Sequence, residues 1–179
     1  MNIRAFLITL FWKQNQWHKY SVLRHTFSVV YSCVKLKQYN LIIPALLHDI
    51  GKPFVAFQDE DDIIENIGSY SFTNHEEKSY QIIKNWKLIS EETKLLVRYH
   101  YLITGMLVSL RKFLKTKDVK HLDDYTSRKL IWNNLNYIMQ DKLMYLKFSD
   151  DEGKGYPNLT KAIPKSLEKR YAKLVKSNS

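Results

Sequence analysis

Between Ser21 and Lys37, the residues Val22, Thr26, Val29, Val30, Cys33 and Val34 recur at intervals of three, four and seven, the spacing of a helix with one buried stripe. His25 borders that stripe. Asn40 is the predicted cap of a second helix, with Pro44 in its opening turn and Ala45, Leu46 and Leu47 leading to His48 and Asp49. Gly51 suits the left-handed position that closes such a helix. Gln58 to Glu65 carries Asp59, Glu60, Asp61, Asp62 and Glu65 with neither helical nor strand alternation, and reads as an acidic loop over the region that follows. Thr73-Asn-His-Glu76 fits a capping box, which places His75 in the first turn of a helix whose Ile82, Ile83 and Trp86 face the core. Ser90, followed by Glu91 and Glu92, starts another helix with a stripe of Leu95, Leu96, Tyr99, Leu102 and Ile103 and with His100 at its edge. One long helix from about Asp124 to Phe148 then carries Ile131, Leu135, Ile138, Met139, Leu143 and Leu146. Asp150 lies four beyond Leu146 and seven beyond Leu143, so it emerges on the inward side. No segment sustains a period of two and no internal repeat is visible. The predicted fold is all-α, a compact helical bundle.

A length of 179 residues suits one domain with a substantial core and leaves too little for two, so residues 1–179 are read as a single domain with a basic C-terminal segment from about 156. Five Gly and four Pro leave little room for long linkers. The formal net charge of +10 attracts anionic partners at long range, whether phosphates, nucleotides, RNA or an acidic surface. The cations gather at Arg111, Lys112, Lys115, Lys117 and Lys120, and again at Lys161, Lys165, Lys169, Arg170, Lys173 and Lys176. Without an accompanying stacking motif they read first as a solvated face, with nucleic-acid contact as the second reading.

Cys33 is the single cysteine, which excludes an internal disulfide and points to a reducing cytoplasm. Ala5 to Trp12 is apolar, but Lys13 to Gln16 follows without a small-residue cleavage site, a poor match to a signal peptide. No run approaches the ~18 apolar residues of a membrane span. A soluble cytoplasmic protein is expected.

Chemistry concentrates in five places along the chain: His25, the pair His48-Asp49, His75, His100 and Asp150. Imidazole nitrogens and carboxylate oxygens together suit divalent ions such as Mn, Fe, Co, Ni, Zn or Mg, and the lack of thiolates argues against a structural zinc finger. Adjacent helical residues diverge by about 100°, yet at a helix end His48 and Asp49 can converge on one ion. Any one of these histidines alone reads as an ordinary hydrogen-bonded residue. Their placement on the inward sides of separate helices favours a shared ion, with His25, His48, Asp49 and Asp150 as its core. The positive end of the His75 helix opposes protonation of that ring and favours a nearby anion. Lys52, three beyond Asp49, can neutralise phosphate oxygens just outside the metal shell. Arg24 and His18 rank lower, and His121 lies in a polar stretch.

These residues resemble the HD superfamily of metal-dependent phosphohydrolases, named for the motif that stands here as His48-Asp49. The segments Arg24-His-Thr26, Ala45-Leu-Leu-His-Asp-Ile-Gly-Lys-Pro53, Asn74-His-Glu76, Leu96-Val-Arg-Tyr-His100 and Phe148-Ser-Asp-Asp-Glu-Gly153 look most like the HD domain of bacterial tRNA nucleotidyltransferases. The resemblance runs from about His18 to Gly155. It implies that His25, His48, Asp49 and Asp150 hold the principal ion, while His75 and His100 hold a second ion or contact phosphate; Arg24 is a lower-ranked candidate for substrate contact. Asp151, beside Asp150, is the alternative ligand. Nothing resembles the nucleotide-adding head of those enzymes, so addition of CCA is not implied. The Glu-Asp pair of alarmone hydrolases and the Gly-Tyr-Pro signature of cyclic-di-GMP phosphodiesterases are both absent.

The implied activity is hydrolysis of phosphomonoester or phosphodiester bonds in a nucleotide, cyclic nucleotide or RNA end, with one or two divalent ions activating water. Asp49 orients or deprotonates that water and Lys52 steadies developing charge. The alternative is an inactive module of the same fold that binds a nucleotide, RNA or a protein.

Overall fold

A computed structural model describes Leu7, Leu10, Phe11, Gln14, Asn15, residues 17–58 and residues 70–155. Among them the architecture is all-helical, as the apolar spacing predicts. Helix α1 (Val22–Lys35) is followed by a single 3-10 turn at Tyr39–Leu41, then by α2 (Ile42–Leu47), α3 (Lys52–Val55), α4 (His75–Ile83), α5 (Glu91–Tyr99), α6 (Leu102–Thr116), α7 (Val119–Asn134) and α8 (Tyr137–Gly153). An isolated antiparallel bridge pairs Phe57 with Ser71. No helix among the described residues is long and apolar enough to cross a membrane. The N-terminal stretch from Ala5 to Trp12, the acidic stretch from Asp59 to Glu65 and the basic segment from 156 fall wholly or largely outside the described residues.

The core is built from Val29 and Cys33 of α1, Leu41 and Ala45, Leu96 of α5, Ile103 of α6, and Met139, Leu143 and Leu146 of α8. Helix α8 lies along α1, and α2 and α5 pack against them from the other side. Leu96, Leu143 and Leu146 are fully buried, so truncating any one leaves a cavity that costs about 2–5 kcal/mol. This rigid centre carries the inward faces that bear His25, His48, His100 and Asp150. Helix α7 folds back on α6 and buries none of its own residues.

Several local expectations give way to tertiary context. Asn40 lies inside the 3-10 turn, and Leu41 precedes α2 without a side-chain cap. Gly51 has φ −78°, an ordinary right-handed value, so its role is not a left-handed closure. Asn74 adopts φ 60° at the cap of α4, which moves the helix start one residue on and leaves Thr73 and Glu76 out of register for a capping box. Trp86 falls beyond α4 and is exposed, as is Val34 at the end of the α1 stripe. The predicted helix from Asp124 to Phe148 is two helices. Leu135 is extended (ψ 139°), and Asn136 caps α8 by accepting from the Met139 amide at 2.9 Å. Ser90 caps α5 as predicted, accepting from the Thr93 amide at 3.2 Å.

Candidate metal centre

Three histidines are set by the same local device. His48 Nδ1 lies 2.7 Å from the Ala45 carbonyl, His75 Nδ1 2.8 Å from Phe72 and His100 Nδ1 2.7 Å from Val97, in each case three residues back along the chain. A carbonyl only accepts, so Nδ1 carries the proton and Nε2 of the neutral ring keeps its lone pair. His48 and His100 both follow the last residue of a helix, α2 and α5, where the side chain takes up a carbonyl that would otherwise continue the helical ladder. His75 opens α4. The break of the backbone at His100 and Tyr101, where one continuous helix was expected, is thus the feature that turns His100 inward.

The lone pairs converge. His25 Nε2 is 2.9 Å from Asp150 Oδ1 and 3.4 Å from His48 Nε2, and the last of these is 3.9 Å from the same Asp150 oxygen. His75 and His100 bring their Nε2 atoms to 3.1 Å, with Asp49 Oδ1 3.5 and 3.8 Å away. Asp49 Oδ2 faces the first group, 3.2 Å from His48 and 3.4 Å from His25. Each group of three, His25-His48-Asp150 and Asp49-His75-His100, places its ligand atoms within 4.8 Å of one another and can hold an ion. Donors about 2.0–2.2 Å from one metal stand roughly 3–3.5 Å apart, close to the 2.9–3.9 Å seen within the two groups. Two imidazole lone pairs at 3.1 Å repel, and a cation between them removes the repulsion.

Asp49 supplies the test of fit. Both of its carboxylate oxygens are buried and neither receives a hydrogen bond among the described residues. Lys52 Nζ stands 2.7 Å from Oδ2, out of line for a hydrogen bond, and instead donates to Gln14 Oε1 at 2.9 Å. Leaving a buried carboxylate so poorly solvated is costly, and a divalent ion is the partner that this donor set suits.

Charge is distributed in keeping with that reading. Burial opposes ionisation of Asp49, but His48 and Lys52 outweigh it and hold the carboxyl well below its usual range. Asp150 is likewise held low against burial, by Lys154 and His25. Burial presses His100 down to about 3, helped by the charges of His48 and His75, and burial also lowers His75. His48 goes the other way: burial acts to lower it, and the adjacent Asp49 carboxylate more than compensates.

The layer behind the donors is equally specific. Ser79 accepts from the Gly51 amide at 2.9 Å and donates to the His48 carbonyl at 2.7 Å, pinning the turn that follows Asp49 onto α4. A Cβ on Gly51 would lie 2.5 Å from the Ser79 amide nitrogen and 2.6 Å from the His75 carbonyl oxygen. Glycine is therefore required by close approach of two backbones. Gly51→Ala is expected to destabilise the fold by about 1–3 kcal/mol, the scale of overpacking, and to separate His48 from His75; denaturant unfolding of the two proteins measures it.

Lys52, His25, His48, Asp49, His75, His100 and Asp150 are all brought together. Asp151 turns away to ion-pair with Lys147 and, at 2.7 Å, with Lys154, which leaves Asp150 as the carboxylate facing the histidines. Arg24 does not join them: it is exposed and stacks over the Tyr20 ring at 4.3 Å. His18 is buried edge-on to His25, with ring centroids 5.1 Å apart, and hydrogen-bonds Asn15 at 2.9 Å. His121 lies on α7, half-buried. Gln14, Ser79 and Lys154 were missed in the sequence. Gln14 and Ser79 carry no periodic signal, and Lys154 looks like a surface lysine until its pairing with Asp150 at 3.4 Å is seen.

The helical domain gathers four histidines and two aspartates on one buried centre whose donor set could hold divalent ions. The HD domain family model matches residues 22–174, and the chain belongs to that family. The members of its superfamily are, in general, metal-dependent phosphohydrolases. Comparisons with curated proteins and with solved structures gave no match.

Proposed function

We propose that this protein is a metal-dependent phosphohydrolase acting on phosphomonoester or phosphodiester bonds of a nucleotide, cyclic nucleotide or RNA end. The observation that carries the reading is the pair of three-donor groups meeting at Asp49, whose two buried oxygens face one group each. His25, His48, Asp49 and Asp150 would hold one ion, and Asp49, His75 and His100 are the residues that would hold a second. When bound, divalent ions supply Lewis acidity, which allows water to attack phosphorus near neutral pH and shields the charge on the phosphoryl oxygens. Asp49, held ionised, orients the attacking water. Lys52, held beside Asp49 by Gln14, meets the phosphoryl oxygens. His100, neutral down to about pH 3, is a poor proton donor and a good ligand, which favours the metal role for it over protonation of the leaving group. Arg24 is exposed on α1 outside the buried centre, and contact with an extended substrate is its proposed role. The likeness of the motifs to the HD domain of bacterial tRNA nucleotidyltransferases supports RNA ends within this substrate range.

The test is hydrolysis of bis(p-nitrophenyl) phosphate, followed by a panel of nucleotides, cyclic nucleotides and RNA with defined 3′ ends, each with Mn or Ni. Turnover that depends on added metal and is lost with chelator is expected. No turnover above background with any metal would leave only the inactive binding module, and turnover unaffected by metal or chelator would contradict the metal-dependent reading.

A further inference from the structure

One face of α6 carries Tyr101, Gly105 and Ser109 at successive turns, and α7 lays Asp124 and Arg128 against it. Ser109 donates its hydroxyl proton to Asp124, and the Asp124 carboxylate accepts from Arg128 Nε at 3.1 and 3.2 Å. Anchored this way, the guanidinium lies flat across Gly105. A Cβ there would collide with Nη1 and stand 2.7 Å from Cζ. Tyr101, one turn nearer the centre, packs edge-on against His75 with ring centroids 5.4 Å apart. Burial raises the Tyr101 phenol, and Lys154, Glu76, Arg128 and Asp150 all act on it. Arg128 therefore stands at the rim of the metal centre, about one helical turn beyond Tyr101.

A helix-tying role does not account for this arginine. Its carboxylate partner lies four residues back on its own helix, so the pair orients the side chain without joining α6 to α7; Ser109 and Asp124 make that link. Among the described residues its hydrogen bonds run through Nε alone, leaving the terminal fork for a ligand. The side chain is 27% exposed, enough to be reached. A guanidinium anchored through Nε, whose Nη groups make no hydrogen bond among the described residues, is suited to bidentate contact with a phosphate.

We propose that Arg128 recognises a second phosphate of the substrate, one that lies beyond the phosphate at the metal centre. The preferred ligands are then nucleotides or RNA ends with two separate phosphates rather than monophosphates. This rests on the phosphohydrolase reading above and adds a specificity determinant to it.

Titration calorimetry of the full-length Mn-loaded protein with adenosine 3′,5′-bisphosphate, adenosine 3′-monophosphate and adenosine 5′-monophosphate tests the proposal. The bisphosphate is expected to bind more tightly than either monophosphate. Arg128→Gln should reduce that preference by about 10- to 100-fold, the scale of a lost hydrogen-bonded charge contact, and Arg128→Lys should restore part of it. Gly105→Ala, whose Cβ would meet Arg128 at Nη1, Cζ and, at 2.9 Å, Nε, should displace the guanidinium and lower the preference. An equal preference in wild type and Arg128→Gln, or none in wild type, overturns the proposal. Hydrolysis of bis(p-nitrophenyl) phosphate by wild type separates the two readings. Metal-dependent turnover with no bisphosphate preference removes only the Arg128 assignment; no metal-dependent turnover overturns both.

Discussion

Replacing Asp49 by alanine is expected to abolish retention of at least one ion and to lower phosphoester turnover by at least about 100- to 1,000-fold, the scale of removing one preorganised electrostatic group. The reason is its position. Oδ2 lies within 3.4 Å of His25 and His48, and Oδ1 within 3.8 Å of His75 and His100, so one side chain serves both donor groups. The same change strands Lys52, whose ammonium is buried 2.7 Å from Asp49. Removing one partner of a buried pair costs about 3–5 kcal/mol. Asp49→Asn keeps volume and polarity but loses charge, so it isolates the electrostatic part of both effects from the cavity that alanine leaves. Metal content after gel filtration, together with hydrolysis rates for all three proteins, measures both. Full metal retention by Asp49→Ala would contradict the shared-carboxylate arrangement.

Saturating Mn is expected to raise the thermal midpoint by roughly 5–10 °C for each site filled. Ligand at a hundredfold excess over its dissociation constant adds about 2.7 kcal/mol per site, and each kcal/mol moves a domain of this size by about 2–4 °C. The shift should grow with pH, and the sign follows from His48. Its raised folded value means that, without metal, its proton contributes stability fully present below the ordinary histidine value of 6.5 and lost as pH rises through the higher folded value. Metal competes for that ring, so ion binding gains as the proton leaves. His100, held at about 3, offers no such competition near neutrality. Thermal scans with and without Mn across pH 6 to about 8.5, a window around the unperturbed histidine pKa, check this; a shift that shrinks with rising pH would contradict it.

Much of the centre was readable because its members obey helical periodicity. His25 borders the Val22–Val29–Cys33 stripe, and Asp150 follows Leu143 and Leu146 at inward spacing, so both could be placed from α1 and the end of α8. What escaped depends on contacts between distant segments. Gly51 resembles a helix terminator, yet its constraint is the backbone of α4 twenty-four residues on at His75. Thr73 and Glu76 have the composition of a capping box, but Asn74 in the left-handed region shifts the start of α4. The breaks at His100 and Leu135 fall inside continuous apolar patterns and are set by a histidine side chain taking a backbone carbonyl and by Asn136 capping α8. Gln14 and Lys154 acquire meaning only through Lys52 and Asp150.

Anomalous diffraction from crystals soaked in Mn locates the ions. One peak bounded by His25, His48, Asp49 and Asp150 is expected, and a second bounded by Asp49, His75 and His100. Saturating Mn with no peak at either position would contradict this arrangement.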